Sequence, residues 1–446
     1  MNKIISFFLI FFMSLLTTNC SGDDKVQDEE SYDNTTKQDT LKTDDSYKAI
    51  ATIYPKRIYG RTIDHFFLDL KGWENIASNQ DKANLFFQDL DMDGIRINIH
   101  GENIKPAHPA KGVVDSIYYA TMLQSIRVAK LARGDKPFYI FASKKSSGKS
   151  WPNWVYAGDT LNPSKYSDMV IDYLKFLKNH DITVDYLGIA NEMNNITPDI
   201  YAQTVIALKD KCLENDIKIP KMIGPDKWEP IGNKPSCWIK NFLDKGYGDQ
   251  LDIYGTHYYP NHRYYDKVTY ELSLIGDRDF WATEPHWTGI ESGTDYLNAE
   301  KSVCALWDLT DNGMNAFMWW GYGVSFHQSQ YICQEFSAPI HGAQPCKMED
   351  FDGESTTTYG KFQTRSFIKG NNLEVYIINN NTRVINNAPF KIDSANISGD
   401  VIATQFIENG PVSGDKNTVK PVTNNVFLYT IPAKSFIHFS VPLDLK

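Results

Sequence analysis

The sequence predicts an α/β protein in which a (β/α)8 TIM barrel is followed by a C-terminal antiparallel β-sandwich domain. Its 446 residues are enough for a barrel and a small companion domain. Between residues 50 and 322, short apolar runs alternate with longer segments of helical period, which favours strands followed by helices. Past residue 355, short β-rich runs separated by Asn, Gly, Asp and Pro indicate a sandwich. We place the barrel in residues 50–350 and the sandwich in residues 351–446, with 51–60 as a candidate extra strand of the sandwich.

The barrel prediction depends on eight apolar runs, each followed by enough chain for a helix. Apolar residues recur at helical spacing in intervening segments such as 166–180 and 200–215. An open doubly wound sheet is the alternative architecture for the same alternation. The predicted barrel strands are residues 66–70, 94–100, 137–142, 184–191, 221–225, 251–258, 279–284 and 315–322.

The second run, 94–100, has the alternation expected of a barrel strand. Its three isoleucines point to one face, whereas Arg96, Asn98 and His100 point to the other. Apolar residues facing the helices and polar residues facing the lumen would produce this pattern. In a strand buried on both faces, Arg96 would be costly.

The sandwich prediction depends on the absence of any helical period in the last quarter of the chain. The runs there are short, and residues typical of turns separate them. The predicted sandwich strands are residues 373–378, 387–392, 401–407, 426–431 and 435–441.

The composition narrows the classes of partner. A net charge of −10 and a pI near 5.5 argue against nucleic acid or an anionic membrane surface as the main partner. Phe, Trp and Tyr make up 13% of the residues. Aromatic rings stack on sugar faces, so this value fits a carbohydrate-binding protein, although aromatic-rich cores are its commoner cause.

Residues 1–19 are predicted to be a lipoprotein signal peptide. A basic head ending at Lys3 precedes an apolar run, 4–16, that is too short to span a bilayer. The segment resembles a bacterial lipoprotein signal in which Cys20 is lipidated after cleavage, and an ordinary secretory peptide is the alternative. Residues 20–49 are polar and predict a flexible acidic tether. We expect an outer-membrane lipoprotein, at the cell surface or on the periplasmic face.

Five cysteines follow Cys20, and an odd number in an oxidising compartment leaves at least one free thiol. Cys333 and Cys346 lie close together in the sequence and could form a disulfide. No Cys-x-x-Cys pair and no Cys/His spacing indicates a zinc site. The remaining cysteines are Cys212, Cys237 and Cys304.

Two glutamates follow predicted barrel strands at the ends where barrel active sites lie. Glu192 follows the apolar run of strand four, and Glu284 ends that of strand seven. Glycoside cleavage needs one carboxylic acid that protonates the leaving oxygen and one carboxylate that attacks or stabilises the anomeric centre. In retaining enzymes the two carboxyl groups lie about 5–5.5 Å apart, which strands on opposite sides of a narrow barrel can provide.

The Asn-Glu pair after strand four, with a second glutamate after strand seven, resembles the signature of the clan A glycoside hydrolases. The resemblance implies that Glu192 is the acid/base and Glu284 the nucleophile of a retaining enzyme. It also implies that Asn191 hydrogen-bonds the sugar 2-hydroxyl. Arg96 resembles the arginine that keeps the nucleophile ionised by charge pairing.

Further motifs resemble the clan as a whole, and two segments resemble its family 30. His257 and Tyr259 after strand six resemble the residues beside the nucleophile, and Trp320 on strand eight resembles the aromatic floor under the sugar. Trp151 lies in a segment that resembles the strand-three loop of family 30. Motifs within 359–370 resemble the entry into its C-terminal sandwich. Family 39, which also joins a clan A barrel to β-domains, is a close rival.

Several of these residues also have structural interpretations. Arg96 could bridge to a structural acid, and His257 could be a satisfied lumen histidine. Trp151 could anchor a loop instead of stacking on a sugar. Three more acidic residues follow strands two and five and are rivals for the catalytic roles: Glu102, Asp226 and Glu229.

The resemblance implies a secreted retaining β-glycoside hydrolase that acts on plant or algal polysaccharide or its oligosaccharides. Xylose-type or related β-linkages are favoured by analogy. We expect a monomer with no metal and no organic cofactor. A non-catalytic surface glycan-binding lipoprotein with the same aromatic cleft is the alternative from another class. A metal-dependent barrel hydrolase is disfavoured because the sequence has no His-x-His or His-Glu-x-x-His motif.

Overall fold

In the computed structural model, eight parallel strands close into a barrel. Strand eight pairs with strand one, where Ala316 lies opposite His65, so the sheet has no open edge. Closure rules out the open doubly wound sheet and confirms the predicted (β/α)8 architecture. In chain order, barrel strands one to eight are His65–Asp69, Gly94–Ile99, Tyr139–Lys144, Tyr186–Gly188, Lys221–Lys227, Ile253–Tyr258, Asp279–Pro285 and Ala316–Trp319.

The structure describes most of the chain beyond residue 48. The predicted signal peptide, the lipidation site Cys20 and nearly all of the tether lie outside the described residues. Within the described part, no helix is both long and apolar enough to cross a membrane. The described residues are 49–70, 79–101, 106–144, 151–193, 195–227, 237–258, 272–285, 303–304, 306–319, 328–349 and 362–445.

Helical segments follow all eight barrel strands, and the sequence specifies where several of them begin. Asn162 caps the helix after strand three, because its side chain accepts a hydrogen bond from the Lys165 N–H. Thr197 caps the helix after strand four in the same way, through the Ile200 N–H. Both helices have a proline in the first turn, where it costs no hydrogen bond. The helices are Gln80–Asn84 with Leu85–Asp89, Ala120–Arg133, Pro163–Lys178, Pro198–Glu214, Trp238–Asp244, 272–275, 306–311 and Gln328–Ile340.

Aromatic and aliphatic side chains fill the lower half of the lumen. The ring of Trp281 lies 5.7 Å from that of Phe67 and 4.5 Å from that of Tyr186. Phe141 and Met318 complete this apolar floor. The floor separates the carboxyl-terminal mouth of the barrel from its opposite end.

The second domain is a large, mainly antiparallel sheet that curls into a sandwich. Phe390 and Phe427 come from strands at one end of the strand order, and Phe439 comes from a strand near the other end. The rings of Phe390 and Phe427 nevertheless lie 5.2 and 5.1 Å from the ring of Phe439. The two ends of the sheet therefore face each other across one core. The strands are Ala51–Ile58, Gln344–Glu349, Phe362–Lys369, Asn372–Asn379, Ile385–Ile392, Asn396–Ile397, Val401–Ile407, Asp415–Val419, Val426–Ile431 and Ser435–Asp444.

Two strands of this sheet precede the predicted domain boundary at residue 350. Gln344–Glu349 pairs antiparallel with Ala51–Ile58, which also pairs in parallel with Ile385–Ile392. The sequence assigned residues 344–349 to the barrel because they mix Pro, Lys and Glu without strand alternation. The barrel domain therefore ends before residue 344.

Cys346 lies in this sheet as a buried free thiol. Its Sγ donates a hydrogen bond to Ser366 Oγ at 3.3 Å on the neighbouring strand. The disulfide between Cys346 and Cys333 that the sequence suggested is therefore wrong. Pairing within the sheet, and not a covalent bridge, holds this segment.

Candidate active site

Polar side chains from strands one, two, three, five, six and seven, and from the turn after strand four, meet at the mouth of the barrel. Strand two provides Arg96, while its three isoleucines point outward into the core between strands and helices. The predicted alternation of this strand is therefore confirmed. The group consists of Asp69, Arg96, Ser143, Asn191, Glu192, Asp226, His257 and Glu284.

Arg96 is a fully buried cation in the middle of this group. Its Nη1 donates to Asp69 Oδ2 at 2.7 Å and to Glu284 Oε2 at 2.9 Å. Its Nη2 donates to Asp226 Oδ2 at 2.7 Å and to Asn191 Oδ1 at 2.9 Å. Burial alone would lower the pKa of Arg96, but the three carboxylates raise it above its ordinary value. The guanidinium therefore stays charged and fixes Glu284 in one orientation.

Glu284 reaches the lumen because strand seven contains a bulge. Trp281 points into the lumen, so simple alternation would turn residue 284 outward. The pairing with strand six shifts between Ala282 and Glu284, which makes Thr283 the extra residue and places Glu284 opposite His257. The bulge thus aims the Glu284 carboxylate at the buried arginine.

Glu192 lies in the turn beyond strand four, which ends at Gly188 and not at the predicted residue 191. Its φ of 52° is left-handed, a strained geometry for a residue other than glycine. The Glu192 N–H donates to the carbonyl oxygen of Asp226 at 3.0 Å, which fixes the turn. The Glu192 side chain is 34% exposed, against 9% for that of Glu284. Of the two glutamates, Glu192 is therefore the more accessible to solvent.

His257 lies between the two glutamates. Its Nδ1 is 2.9 Å from Glu192 Oε1, and its Nε2 is 3.2 Å from Asp226 Oδ1 and 3.4 Å from Glu284 Oε2. Burial lowers the pKa of His257, but Glu284 and then the other two carboxylates raise it to about 9. At neutral pH both ring nitrogens therefore carry protons and donate to carboxylates.

The spacing of the two glutamates is the property most relevant to chemistry. Glu192, His257 and Glu284 each present one ligand-type atom within 4.8 Å of those of the other two. Carboxyl groups about 5–5.5 Å apart are typical of retaining glycosidases, whereas inverting enzymes keep them about 6.5–9.5 Å apart to admit water. The observed spacing matches the retaining arrangement.

The same three residues are close enough to hold a metal ion. A protonated imidazole, however, has no lone pair to offer a metal. The carboxylate of Glu284 already accepts a hydrogen bond from the Arg96 guanidinium. The contacts of these three residues in this structure are therefore hydrogen bonds to one another, to Asp226 and to Arg96.

Of the predicted substrate-binding residues, the structure brings Arg96, Asn191 and His257 together at the barrel mouth. Trp151 is not part of this group. Trp151 is fully buried, and Lys144 Nζ lies 5.4 Å from its ring centre. An indole without exposed surface cannot stack on a sugar, so Trp151 has the loop-anchoring role that the sequence left open. Tyr259, Trp320, Glu102 and Glu229 lie outside the described residues.

Two residues of the site were missed by the sequence analysis. Asp69 ends strand one as Glu284 ends strand seven, and the acidic residue at that strand end was the available signal. Ser143 donates its Oγ hydrogen to Asp226 Oδ2 at 2.7 Å, and a serine near a strand end carries no distinctive signal. Asp226, a predicted rival for a catalytic role, is fully buried and cannot contact a glycosidic oxygen.

Comparison with known proteins extends the description of the fold. No protein-family model and no curated protein matches the sequence. A GH30 endoxylanase from Clostridium papyrosolvens is 18% identical with a TM-score of 0.65, covering 88% of this chain and 99% of that chain. An exported protein from Bacteroides fragilis is 15% identical with a TM-score of 0.64, covering 88% and 100%. An endo-β1,6-glucanase is 14% identical with a TM-score of 0.63, covering 88% and 94%.

These similarities extend over both the barrel and the β domain, since each covers 88% of the chain. The resemblance that the motifs indicated is thereby confirmed at the level of the fold. The chain has the fold of the family 30 glycoside hydrolases.

Proposed function

We propose that this protein is a retaining β-glycoside hydrolase that acts by double displacement. The observation that carries the proposal is the pair of carboxylates, Glu192 and Glu284, with oxygens within 4.8 Å of each other at the mouth of a closed barrel. Their unequal exposure supports unequal roles. The acid/base must reach both the leaving oxygen and water, whereas the nucleophile needs a fixed position.

In the first proposed step, a Glu284 oxygen attacks the anomeric carbon as the bond to the leaving oxygen breaks. Glu192 gives its proton to that oxygen, and a glycosyl ester forms on Glu284. In the second step, Glu192 takes a proton from water, which attacks the anomeric carbon. The bond to Glu284 breaks, and Glu192 is again protonated for the next cycle. Two inversions leave the anomeric configuration unchanged.

The buried cations hold the two glutamates in place for these steps. Arg96 holds Glu284 as a carboxylate aimed at the lumen. His257, protonated near neutral pH, donates to Glu192 and faces Glu284. Asn191 accepts from Arg96 through Oδ1, so its amide nitrogen is the group that would meet the sugar 2-hydroxyl.

For the substrate we propose plant or algal polysaccharide or its oligosaccharides, with xylose-type or related β-linkages. The support is analogy: proteins with this fold include an endoxylanase and an endo-β1,6-glucanase. Identities of 18% and 14% make this a proposal about substrate class and not about a single sugar.

We also propose that the protein is a monomeric outer-membrane lipoprotein anchored through Cys20. The support is the basic head, the short apolar run and the cysteine near the start of the sequence. The similar protein from Bacteroides fragilis is described as exported. Incorporation of labelled palmitate into the wild type but not into Cys20→Ala tests this proposal, and equal labelling of both would contradict it.

A screen against purified β-glycans, with detection of new reducing ends and analysis of the products, tests the proposed activity. Release of short xylo- or gluco-oligosaccharides supports it and identifies the linkage. Binding to a glycan without release of any product would favour the non-catalytic glycan-binding alternative.

A further inference from the structure

Asp226 is a fully buried carboxylate at the end of strand five, and it contacts several parts of the site at once. Its Oδ2 accepts hydrogen bonds from Arg96 Nη2 and Ser143 Oγ, both at 2.7 Å. Its Oδ1 lies 3.2 Å from His257 Nε2. Its backbone carbonyl accepts the Glu192 N–H at 3.0 Å.

The contacts of Asp226 with Arg96 and His257 connect it to the two proposed catalytic glutamates. Arg96, which Asp226 holds on one side, donates to the nucleophile Glu284 at 2.9 Å. His257, which Asp226 holds on the other side, lies 2.9 Å from the acid/base Glu192. One carboxylate is therefore linked to the nucleophile through the arginine and to the acid/base through the histidine.

The surrounding backbone is shaped to place this carboxylate. Asp226 has a left-handed φ of 54°, and the pairing of strands five and six shifts between Pro225 and Lys227, which is a bulge. On neighbouring strand four, a Cβ at Gly188 would lie 3.2 Å from Asp226 Oδ2 and crowd it. Bulge, strained backbone and adjacent glycine together indicate that the position of the Asp226 side chain is specified.

We propose that Asp226 is a positioning residue that sets the spacing of the two catalytic carboxylates by holding Arg96 and His257 at the same time. This inference rests on the proposed glycosidase function and deepens it. Asp226 is not itself catalytic, because a side chain with no exposed surface cannot reach a sugar.

Asp226 can set this spacing because Arg96 and His257 are both cations that need nearby carboxylates. Without the Asp226 carboxylate, Arg96 would keep Asp69 and Glu284, and His257 would keep Glu192 and Glu284. Glu284 would then be the one carboxylate in contact with both cations, at 2.9 and 3.4 Å. Both cations would be drawn toward the nucleophile, and the histidine would move away from Glu192. A displacement of about 1 Å in a catalytic group can cost about 100-fold in rate.

Asp226→Asn is the direct test, since it keeps the shape of the side chain and removes its charge. Asp93→Asn is the matched control. Asp93 is also a buried carboxylate between two histidines, 2.7 Å from His65 Nδ1 and 3.5 Å from His341 Nε2, but it precedes strand two at the opposite end of the barrel. We expect Asp226→Asn to lower kcat about 100-fold with KM changed less than about threefold. Asp93→Asn should lose thermal stability and keep kcat.

A folded Asp226→Asn protein with kcat within about twofold of wild type would overturn the inference, as would an equal loss of kcat in both variants. If Asp226→Asn does not fold, Gly188→Ala replaces it. The added methyl group would lie 3.2 Å from Asp226 Oδ2 and 3.2 Å from the Phe141 ring, so it crowds the carboxylate without removing any charge. We expect a loss in kcat of about tenfold, and an unchanged kcat would contradict the inference.

A second readout does not depend on activity. His257 is faced by Glu192 from the turn after strand four, by Asp226 from strand five and by Glu284 from strand seven, with Arg96 behind the last two. In Asp226→Asn the histidine loses one of three carboxylates, so its ring ¹⁵N NMR titration, assigned with His257→Gln, should move to lower pH. An unchanged titration overturns the inference even if no glycan is cleaved. Failure of the wild type to cleave any glycan contradicts only the proposed function.

Discussion

Glu192 and Glu284 present carboxylate oxygens within 4.8 Å of each other, although Glu192 lies beyond strand four and Glu284 lies on strand seven of the barrel. A spacing this short resembles that of retaining glycosidases, whereas inverting glycosidases keep their carboxyl groups about 6.5–9.5 Å apart. His257 lies between the two glutamates, and Arg96 fixes Glu284 from below. These contacts lead to testable consequences for activity and stability.

Replacement of Glu284, the proposed nucleophile, should abolish turnover. We expect Glu284→Ala to lower kcat by more than about 10⁴-fold, because the other carboxylates that the structure describes at the site besides Glu192, those of Asp69 and Asp226, are fully buried. Added azide should restore bond cleavage and give a glycosyl azide of inverted configuration, since only one displacement then occurs. Near-normal activity of Glu284→Ala without azide would remove Glu284 from this role.

The loss of activity on replacing Glu192, the proposed acid/base, should depend on the leaving group of the substrate. Glu192→Gln cannot protonate the departing oxygen, so natural glycans should lose about 10²–10⁴-fold in kcat/KM. Activated aryl glycosides need no proton and should lose much less in the first step. Equal losses on both substrates would show that Glu192 does not act as the acid.

Activity should be sensitive even to a conservative replacement of the buried Arg96. Arg96→Lys keeps a charge but loses the planar fork that binds Glu284 through one nitrogen and Asp226 through the other. We expect kcat to fall about 100-fold through misplacement of Glu284. We expect Arg96→Met to lower the free energy of unfolding by about 3–5 kcal/mol, because it leaves buried carboxylates uncompensated. Steady-state kinetics and urea unfolding test both, and wild-type kcat in Arg96→Lys would contradict the positioning of Glu284.

The raised pKa of His257 predicts a loss of stability at alkaline pH. Its pKa is about 9 in the folded protein, against 6.5 for an ordinary histidine. Such a group stabilises the folded state fully below the unfolded pKa, and this contribution is lost as the pH rises through the folded value. We expect this residue to account for a decrease on the order of 3 kcal/mol in the free energy of unfolding across that window.

Urea unfolding of wild type and His257→Gln at about pH 6 and about pH 9.5 tests this expectation. His341 contributes in the same window, because its pKa is also raised to about 9. The difference between the two proteins, and not the wild-type slope, therefore reports on His257. The same pH dependence in both proteins would contradict the assigned charge state.

The buried position of Trp151 predicts an effect on stability and not on substrate binding. Trp151→Ala should lower the free energy of unfolding by about 3–5 kcal/mol, as large-to-small changes in cores do. KM of the protein that remains folded should stay close to that of wild type. A large rise in KM with unchanged stability would show that Trp151 contacts the sugar after all.

Much of the barrel could be predicted because its strands and helices have different apolar periods. Strand six, predicted at 251–258, is observed at Ile253–Tyr258. Strand four is the clearest boundary error, since its apolar run continues through Ala190 although the pairing ends at Gly188. The left-handed turn at Glu192 depends on a hydrogen bond to Asp226, and no local pattern predicts that contact.

That the two glutamates meet at the barrel mouth could be predicted from strand ends, but the network around them could not. Asp69 and Ser143 become significant only through their contacts with Arg96 and Asp226. The bulge that turns Glu284 inward is likewise set by pairing with strand six. In the β domain, the exposed edge strand Asp415–Val419 was missed because an edge strand needs no apolar residues.

Identification of the residue that forms the covalent intermediate tests the central claim most directly. An activated 2-deoxy-2-fluoro-β-glycoside slows the second displacement, because fluorine destabilises the positively charged transition state, so the glycosyl ester accumulates. Proteolysis and mass spectrometry should locate the label on Glu284, and NMR of the natural reaction should show products of retained configuration. A label on any other residue, or products of inverted configuration from the wild type, would contradict the proposed mechanism.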